Sequence, residues 1–258
     1  METPQQHSVP FAAPPLSGTK GMIDEFKKRI AHRPENPRLH YDLGMALVLA
    51  SRYKEAISAF DKAIELKDDY ADAHFGRGVS LGWSGQHEEA ITAFQCVVEI
   101  NPDNAIAHFM LGSRLSAVGR YQEAHTALQH GLKFNPDDAQ AYLNMGFVCK
   151  QLELWQEAVA AFQQVLFLQP AMVDVLPELG KAYERLRCAR SGVPLSQAQF
   201  SPLDFECAAS LYYGGLAFLS LNQYQVAYAQ YEDLRHIESA EAQQLADQLF
   251  LYLTVSSQ

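Results

Sequence analysis

The feature that most constrains this chain is a motif that returns every 34 residues. Tyr53-Lys-Glu-Ala-Ile-Ser-Ala-Phe60, His87-Glu-Glu-Ala-Ile-Thr-Ala-Phe94, Tyr121-Gln-Glu-Ala-His-Thr-Ala-Leu128 and Trp155-Gln-Glu-Ala-Val-Ala-Ala-Phe162 begin at 53, 87, 121 and 155. A second block precedes each one at the same spacing: His40-x-x-Leu43-Gly44-x-x-Leu47, His74-x-x-Arg77-Gly78-x-x-Leu81, His108-x-x-Leu111-Gly112-x-x-Leu115 and Tyr142-x-x-Met145-Gly146-x-x-Cys149. Both blocks place mostly apolar or small residues at i, i+3, i+4 and i+7, the signature of one helix face. Each unit is therefore a pair of helices. A pair of this size cannot bury its apolar faces alone, so successive pairs must stack.

The punctuation agrees with this division. Ala50-Ser51-Arg52, Ser84-Gly85-Gln86 and Val118-Gly119-Arg120 separate the helices of a unit, and Asn101-Pro102-Asp103, Asn135-Pro136-Asp137 and Gln169-Pro170 separate the units. Proline lacks the N–H that a helix interior needs and biases its predecessor away from helical backbone, so the chain stops and restarts at each. Small residues at Gly44, Gly78, Gly112 and Gly146, and at Ala56, Ala90, Ala124 and Ala158, let two helices approach closely.

This 34-residue period, with its Gly, Ala, Phe and Pro punctuation, resembles the tetratricopeptide repeat (TPR) family. The resemblance implies an all-α fold, a right-handed superhelical solenoid of antiparallel helix pairs with capping helices at both ends, whose concave face is lined by the first helices. Four units are expected at 37–70, 71–104, 105–138 and 139–172. A disordered tail (1–20) and a capping helix (21–36) precede them. A degenerate fifth unit (173–207) follows, its second helix replaced by a loop at 189–205 rich in Gly192, Pro194 and Pro202. A further unit (208–238) and a closing helix (239–258) complete the chain.

In the family, the groove side of each first helix carries the position after the packing residue and those three to four beyond it. Carried over, these are Tyr41, Met45, Phe75, Val79, Phe109, Met110, Leu143, Asn144 and Phe147. Tyr41, Phe75 and Phe109 are rotated about 100° from the main packing face and are expected to form an apolar, partner-binding groove rather than core. The carboxylate clamp by which some family members grip heat-shock chaperones needs Lys, Asn and Arg. The corresponding positions here hold Tyr41, Met45, Val79, Ile106 and Met110, which cannot donate charge-assisted hydrogen bonds, so that binding mode is not expected. Of the peptide-binding asparagine ladder known in the family, Asp42, Gly76, Met110 and Asn144 retain one rung. His40, His74 and His108 recur in register, but neighbouring first helices about 10 Å apart are too distant to share a metal through one position. They read as packing residues.

Composition excludes other classes. Twenty Lys and Arg against 30 Asp and Glu give a formal charge of -10, which repels a phosphate backbone and argues against nucleic acid as a partner. Four cysteines, Cys96, Cys149, Cys188 and Cys207, have no metal-ligand spacing and read as reduced thiols. The first 20 residues lack the charged start and apolar core of a secretory signal, and no apolar run is long enough for a membrane span. A soluble, cytoplasmic protein is expected. There is no phosphate loop, nucleophile elbow or paired-carboxylate site, hence no enzyme, catalytic residue, metal or cofactor is expected. The reading is a protein-interaction adaptor that holds a partner polypeptide in an apolar groove; the alternative is a chaperone or assembly factor that shields an apolar client segment.

Overall fold

The computed structural model describes residues 18–169, 171–191, 211–213, 215–216, 231–235 and 240–256. Every regular element among them is helical: α1 (Thr19–His32), α2 (Pro37–Leu49), α3 (Tyr53–Leu66), α4 (Ala71–Trp83), α5 (His87–Ile100), α6 (Ala105–Ala117), α7 (Tyr121–Phe134), α8 (Ala139–Gln151), α9 (Trp155–Leu168), a 3₁₀ turn at Val173–Val175, α10 (Leu176–Ser191) and a closing α11 (Ala240–Ser256). First helices begin at 37, 71, 105 and 139 and second helices at 53, 87, 121 and 155, so the 34-residue sequence period is the period of the fold. Helix α10 runs to Ser191, which makes 189–191 of the expected loop helical. Residues 192–205 of that loop and 1–17 of the expected tail lie outside the described residues, as does most of the unit expected at 208–238. No described helix is long and apolar enough to cross a membrane.

The ends of the helices follow from local chemistry. Asn36, Asn104 and Asp138 cap α2, α6 and α8, their side-chain oxygens accepting the backbone N–H of Arg38 (3.0 Å), Ala107 (3.0 Å) and Ala141 (2.7 Å), while Pro37 occupies the first turn of α2, where no donor is missed. The turn inside each pair has one left-handed residue, again 34 apart: Ser51 (φ 57°), Gly85 (78°), Gly119 (82°) and Glu153 (59°). The N–H groups of Arg52, Gln86 and Leu154 then reach back to the carbonyls of Leu47, Leu81 and Cys149 at 2.9, 3.0 and 2.9 Å, the closure that a left-handed C′ residue permits. Glycine adopts this conformation without penalty; Ser51 and Glu153 do not.

The chain divides into two compact units, Met1–Val118 and Gly119–Gln258. In the first, Ile23 of α1 joins Ala46, Leu47, Ala56, Phe60, Ala63 and Ala73 in one core. Phe60 explains the small residues around it. A β-carbon added at Gly44 or at Gly76 would stand 2.6 or 2.5 Å from its ring, inside van der Waals contact. Gly78 makes the same room for Phe94 in the first unit, and Gly146 for Phe162 in the second. A further core of the second unit gathers Leu211, Tyr212, Leu234, Ala242, Ala246 and Leu249, with Leu249 of α11 seated against Gly215.

Candidate functional site

In the first unit the predicted groove residues separate into floor and surface. Tyr41 is half-buried, 5.9 Å from Phe60 and 5.3 Å from Tyr70 between ring centroids, with the Arg38 guanidinium 5.2 Å above it. Burial raises its phenol pKa above the ordinary value, and the nearby Asp72 carboxylate adds to that. Phe75 is half-buried and meets Phe94 edge-on at 5.6 Å. Val79 and Met110 are half-buried as well. Phe109 departs from the expectation of an open anchor, because only 5% of it is exposed. A rotation of about 100° from the packing face moves a ring to the edge of the core rather than out of it. For a residue as wide as Phe, the neighbouring elements then decide its burial.

Of the large apolar side chains on α2, α4 and α6, those that face solvent are Met45 (39% exposed), Leu49 (41%), Trp83 (43%) and Ile106 (57%); Met22 of α1 is exposed as well (45%). Sequence reasoning placed Met45 in the groove and missed Leu49 and Trp83. Each lies four residues beyond a predicted groove residue, Leu49 after Met45 and Trp83 after Val79, so the i, i+4 rule extends the stripe by one turn. Leu49 and Trp83 also hold the same repeat position on α2 and α4. Trp83 stacks on Tyr53 at 6.1 Å, which fixes one ring face and leaves the other edge to solvent.

Besides Arg38, which lies over Tyr41 and pairs with Asp42, Arg114 is a cation beside these helices. Arg114 of α6 lies over Gly82 of α4, where a β-carbon would be 3.3 Å from its Nη1. Its guanidinium is half-buried, and burial lowers its pKa, though an arginine stays charged regardless. Nη2 donates to Ser113 Oγ at 3.4 Å, and no carboxylate among the described residues pairs with it. Arg114 falls outside the positions the family uses for a clamp, so the resemblance could not have indicated it.

In the second unit, α8 carries Leu143, Asn144 and Phe147, all half-buried. Phe147 meets Phe162 edge-on at 5.6 Å, and Lys150 Nζ lies 5.5 Å from the Phe147 centroid. Gln140 Nε2 donates to Asn144 Oδ1 at 3.5 Å. Lys150 also pairs with Glu178 of α10, which Lys181 reaches from its other side at 3.0 Å. Burial alone would raise the Glu178 pKa, but the hydrogen bonds from Lys150 and Lys181 outweigh it and hold the carboxyl below its ordinary range.

The histidine ladder has a structural task. Nε2 of His40, His74 and His108 bonds the carbonyl six residues upstream, that of Pro34 (2.7 Å), Asp68 (2.9 Å) and Pro102 (2.9 Å). A carbonyl only accepts, so Nε2 carries the proton in all three. Each imidazole ties the first helix to the turn before it, a polar task that the packing reading did not include.

Helix pairs of fixed length, stacked in register through glycine seats for a partner's ring, define an α-solenoid. Models of the tetratricopeptide repeat match residues 25–71, 41–105 and 84–145. Residues 25–145 of the chain therefore carry tetratricopeptide repeats. Among solved structures it is similar to MamA from Desulfovibrio magneticus RS-1 (TM-score 0.57, 22% identity, covering 60% of this chain and 88% of that one). It is similar also to YrrB, described as a TPR protein with an unusual peptide-binding site (0.56, 18%, 92% and 100%). A third is a tetratricopeptide repeat protein from Parabacteroides merdae ATCC 43184 (0.57, 15%, 92% and 92%). At these identities the likeness is one of fold. No curated protein matches the chain.

Proposed function

We propose that this protein is an interaction adaptor that binds a partner polypeptide on the first-helix face of its first unit. The observation that carries the proposal is the exposure of Met45, Leu49, Trp83 and Ile106 on three consecutive first helices. Large apolar side chains exposed in a group, rather than singly, mark a binding surface. Tyr41, Phe75, Val79 and Met110 are half-buried on the same helices, and Phe109 is buried. Arg114 supplies the polar handle, since a half-buried guanidinium with no carboxylate partner gains from an acidic group on a ligand. The segment that fits is apolar with one carboxylate. Leu143, Asn144 and Phe147 offer a second such face on α8. The peptide-binding site described for YrrB supports peptide recognition by this fold.

The protein has two tryptophans, so a Trp155→Phe background, excited selectively beyond the tyrosine band, makes Trp83 the sole tryptophan emitter. Peptides selected from a displayed random library should shift Trp83 emission on titration. Met45→Ala with Leu49→Ala should weaken that binding tenfold or more, about 1.4 kcal/mol. Peptides that bind without moving Trp83 emission and ignore both substitutions would place the site elsewhere. An assembly chaperone, by contrast, would release its client on delivery, which a chase with the finished complex detects.

A further inference from the structure

A second site stands out against the repeat itself. His125 on α7, Cys149 on α8 and Glu157 on α9 bring one nitrogen, one sulfur and one oxygen donor within 4.8 Å of one another. The repeats supply an internal control for each position. Where His125 stands, the other units have Ile57, Ile91 and Val159; where Cys149 stands, they have Leu47, Leu81 and Leu115. Two aliphatic core positions have thus become donors, and the fold brings both to one place. The third member changes partner rather than identity. Of its three counterparts, Glu55 and Glu123 pair with the arginine three residues before them, Arg52 and Arg120, at 2.6 and 2.7 Å, while Glu89 follows Gln86 at that spacing. Before Glu157 that arginine is Leu154, and Glu157 turns to His125 Nε2 at 2.8 Å instead.

We infer that His125, Cys149 and Glu157 form a binding site for a zinc-type divalent cation. Imidazole, thiolate and carboxylate are the zinc donor set, at about 2.0 to 2.3 Å from the metal. Tetrahedral geometry then needs donors about 3.3 to 3.8 Å apart, so the histidine and carboxylate, now 2.8 Å apart, must open, with the sulfur already within 4.8 Å of both. Glu157, half-exposed, can move. Cys149 is fully buried and the His125 side chain is 14% exposed, so the inner two ligands are held by packing and shielded from competing water. On binding, the thiol proton of Cys149 passes to solvent as the sulfur–metal bond forms, and the imidazole proton moves from Nε2 to Nδ1 so that Nε2 can coordinate. A water molecule fills the fourth position from the solvent side, beside Glu157. This departs from the sequence expectation of no metal. The rival account is repacking alone, in which a smaller Cys149 makes room for a larger His125 and the carboxylate simply pairs with it.

Cobalt(II) separates the two accounts, because a thiolate ligand gives it a near-ultraviolet charge-transfer band. The full chain, reduced and freed of metal with a chelator, should bind one Co²⁺ with that band, and Zn²⁺ should displace it. Zinc at a hundredfold excess over its Kd should raise the Tm by about 5 °C. His125→Ile with Cys149→Leu installs the residues of the other repeats and should abolish the band and the zinc shift while keeping the helical circular dichroism. Should that pair misfold, Cys149→Ala alone carries the same test. Wild-type protein without a thiolate band, or a band that survives loss of Cys149, would overturn the site in favour of repacking.

Discussion

Two faces of the same first helices, one residue apart, obey different rules. On α2 and α4 the packing face reads His40, Gly44, Leu47 and then His74, Gly78, Leu81; the groove face reads Tyr41, Met45, Leu49 and then Phe75, Val79, Trp83. The packing face repeats because its neighbours do. Phe60 and Phe94 need bare backbone opposite their rings, and each histidine needs the carbonyl of the preceding turn. The groove face is tied to the repeat at its first ring, where Tyr41 meets Phe60 and Phe75 meets Phe94, but its later positions have no such fixed counterpart. Its last-turn position runs Leu49, Trp83, Ala117, Gln151 along the repeats, so its chemistry is free to be set by a partner. Departures from the repeat at packing positions are therefore the informative ones, and Cys149 on the first helix α8 and His125 on the second helix α7 are two.

Phe109 lies where the two faces meet, and its truncation is the largest expected effect. Phe109→Ala should cost about 3 to 5 kcal/mol of folding free energy, since it empties a buried ring site. Denaturant unfolding measures it; a cost below about 1 kcal/mol would return Phe109 to the groove face. Next comes Gly76→Ala, whose methyl must push the Phe60 ring, at about 1 to 3 kcal/mol. An unchanged stability would mean that the glycines do not set the helix spacing.

The ion pairs of Glu178 give a smaller effect that depends on pH. Its carboxyl is held below the ordinary range in the folded state, so its contribution is fully present above the unfolded value of about 4.3 and is lost as pH falls through the lower folded value. Urea midpoints from pH 7 to 3 should show Glu178→Gln less stable than wild type at neutral pH, with the two curves converging in acid. Parallel curves would remove Glu178 from the account. The smallest effect is a gain. Ser51→Gly relieves a left-handed serine and should stabilise by about 0.5 to 1 kcal/mol, net of the glycine's greater unfolded-state freedom.

The fold was legible because a period of 34 with proline breaks fixes helix starts almost by itself. The site was legible in part. Met45 and Val79 follow from counting along the repeat, and Leu49 and Trp83 would have followed from one more turn of the same count. The burial of Phe109 depends on side chains distant in sequence, which a single helix pattern does not contain. Arg114 required knowing that Gly82 of another helix lies beneath it. His125, Cys149 and Glu157 are 24 and 8 residues apart in sequence, outside any metal-ligand spacing, and only the packing of α7, α8 and α9 joins them.

Whether the exposed apolar face of the first unit holds a partner can be decided by one paired experiment. Wild-type protein and a Met45→Lys, Leu49→Lys variant are used side by side for affinity capture from the native cell, with quantitative mass spectrometry and a circular dichroism melt of each. The account predicts equal melting within about 2 °C, because both side chains face solvent. It also predicts one or more proteins retained in constant ratio by wild type and lost from the variant. Partners captured equally by both proteins, with the variant melting as wild type does, would contradict it.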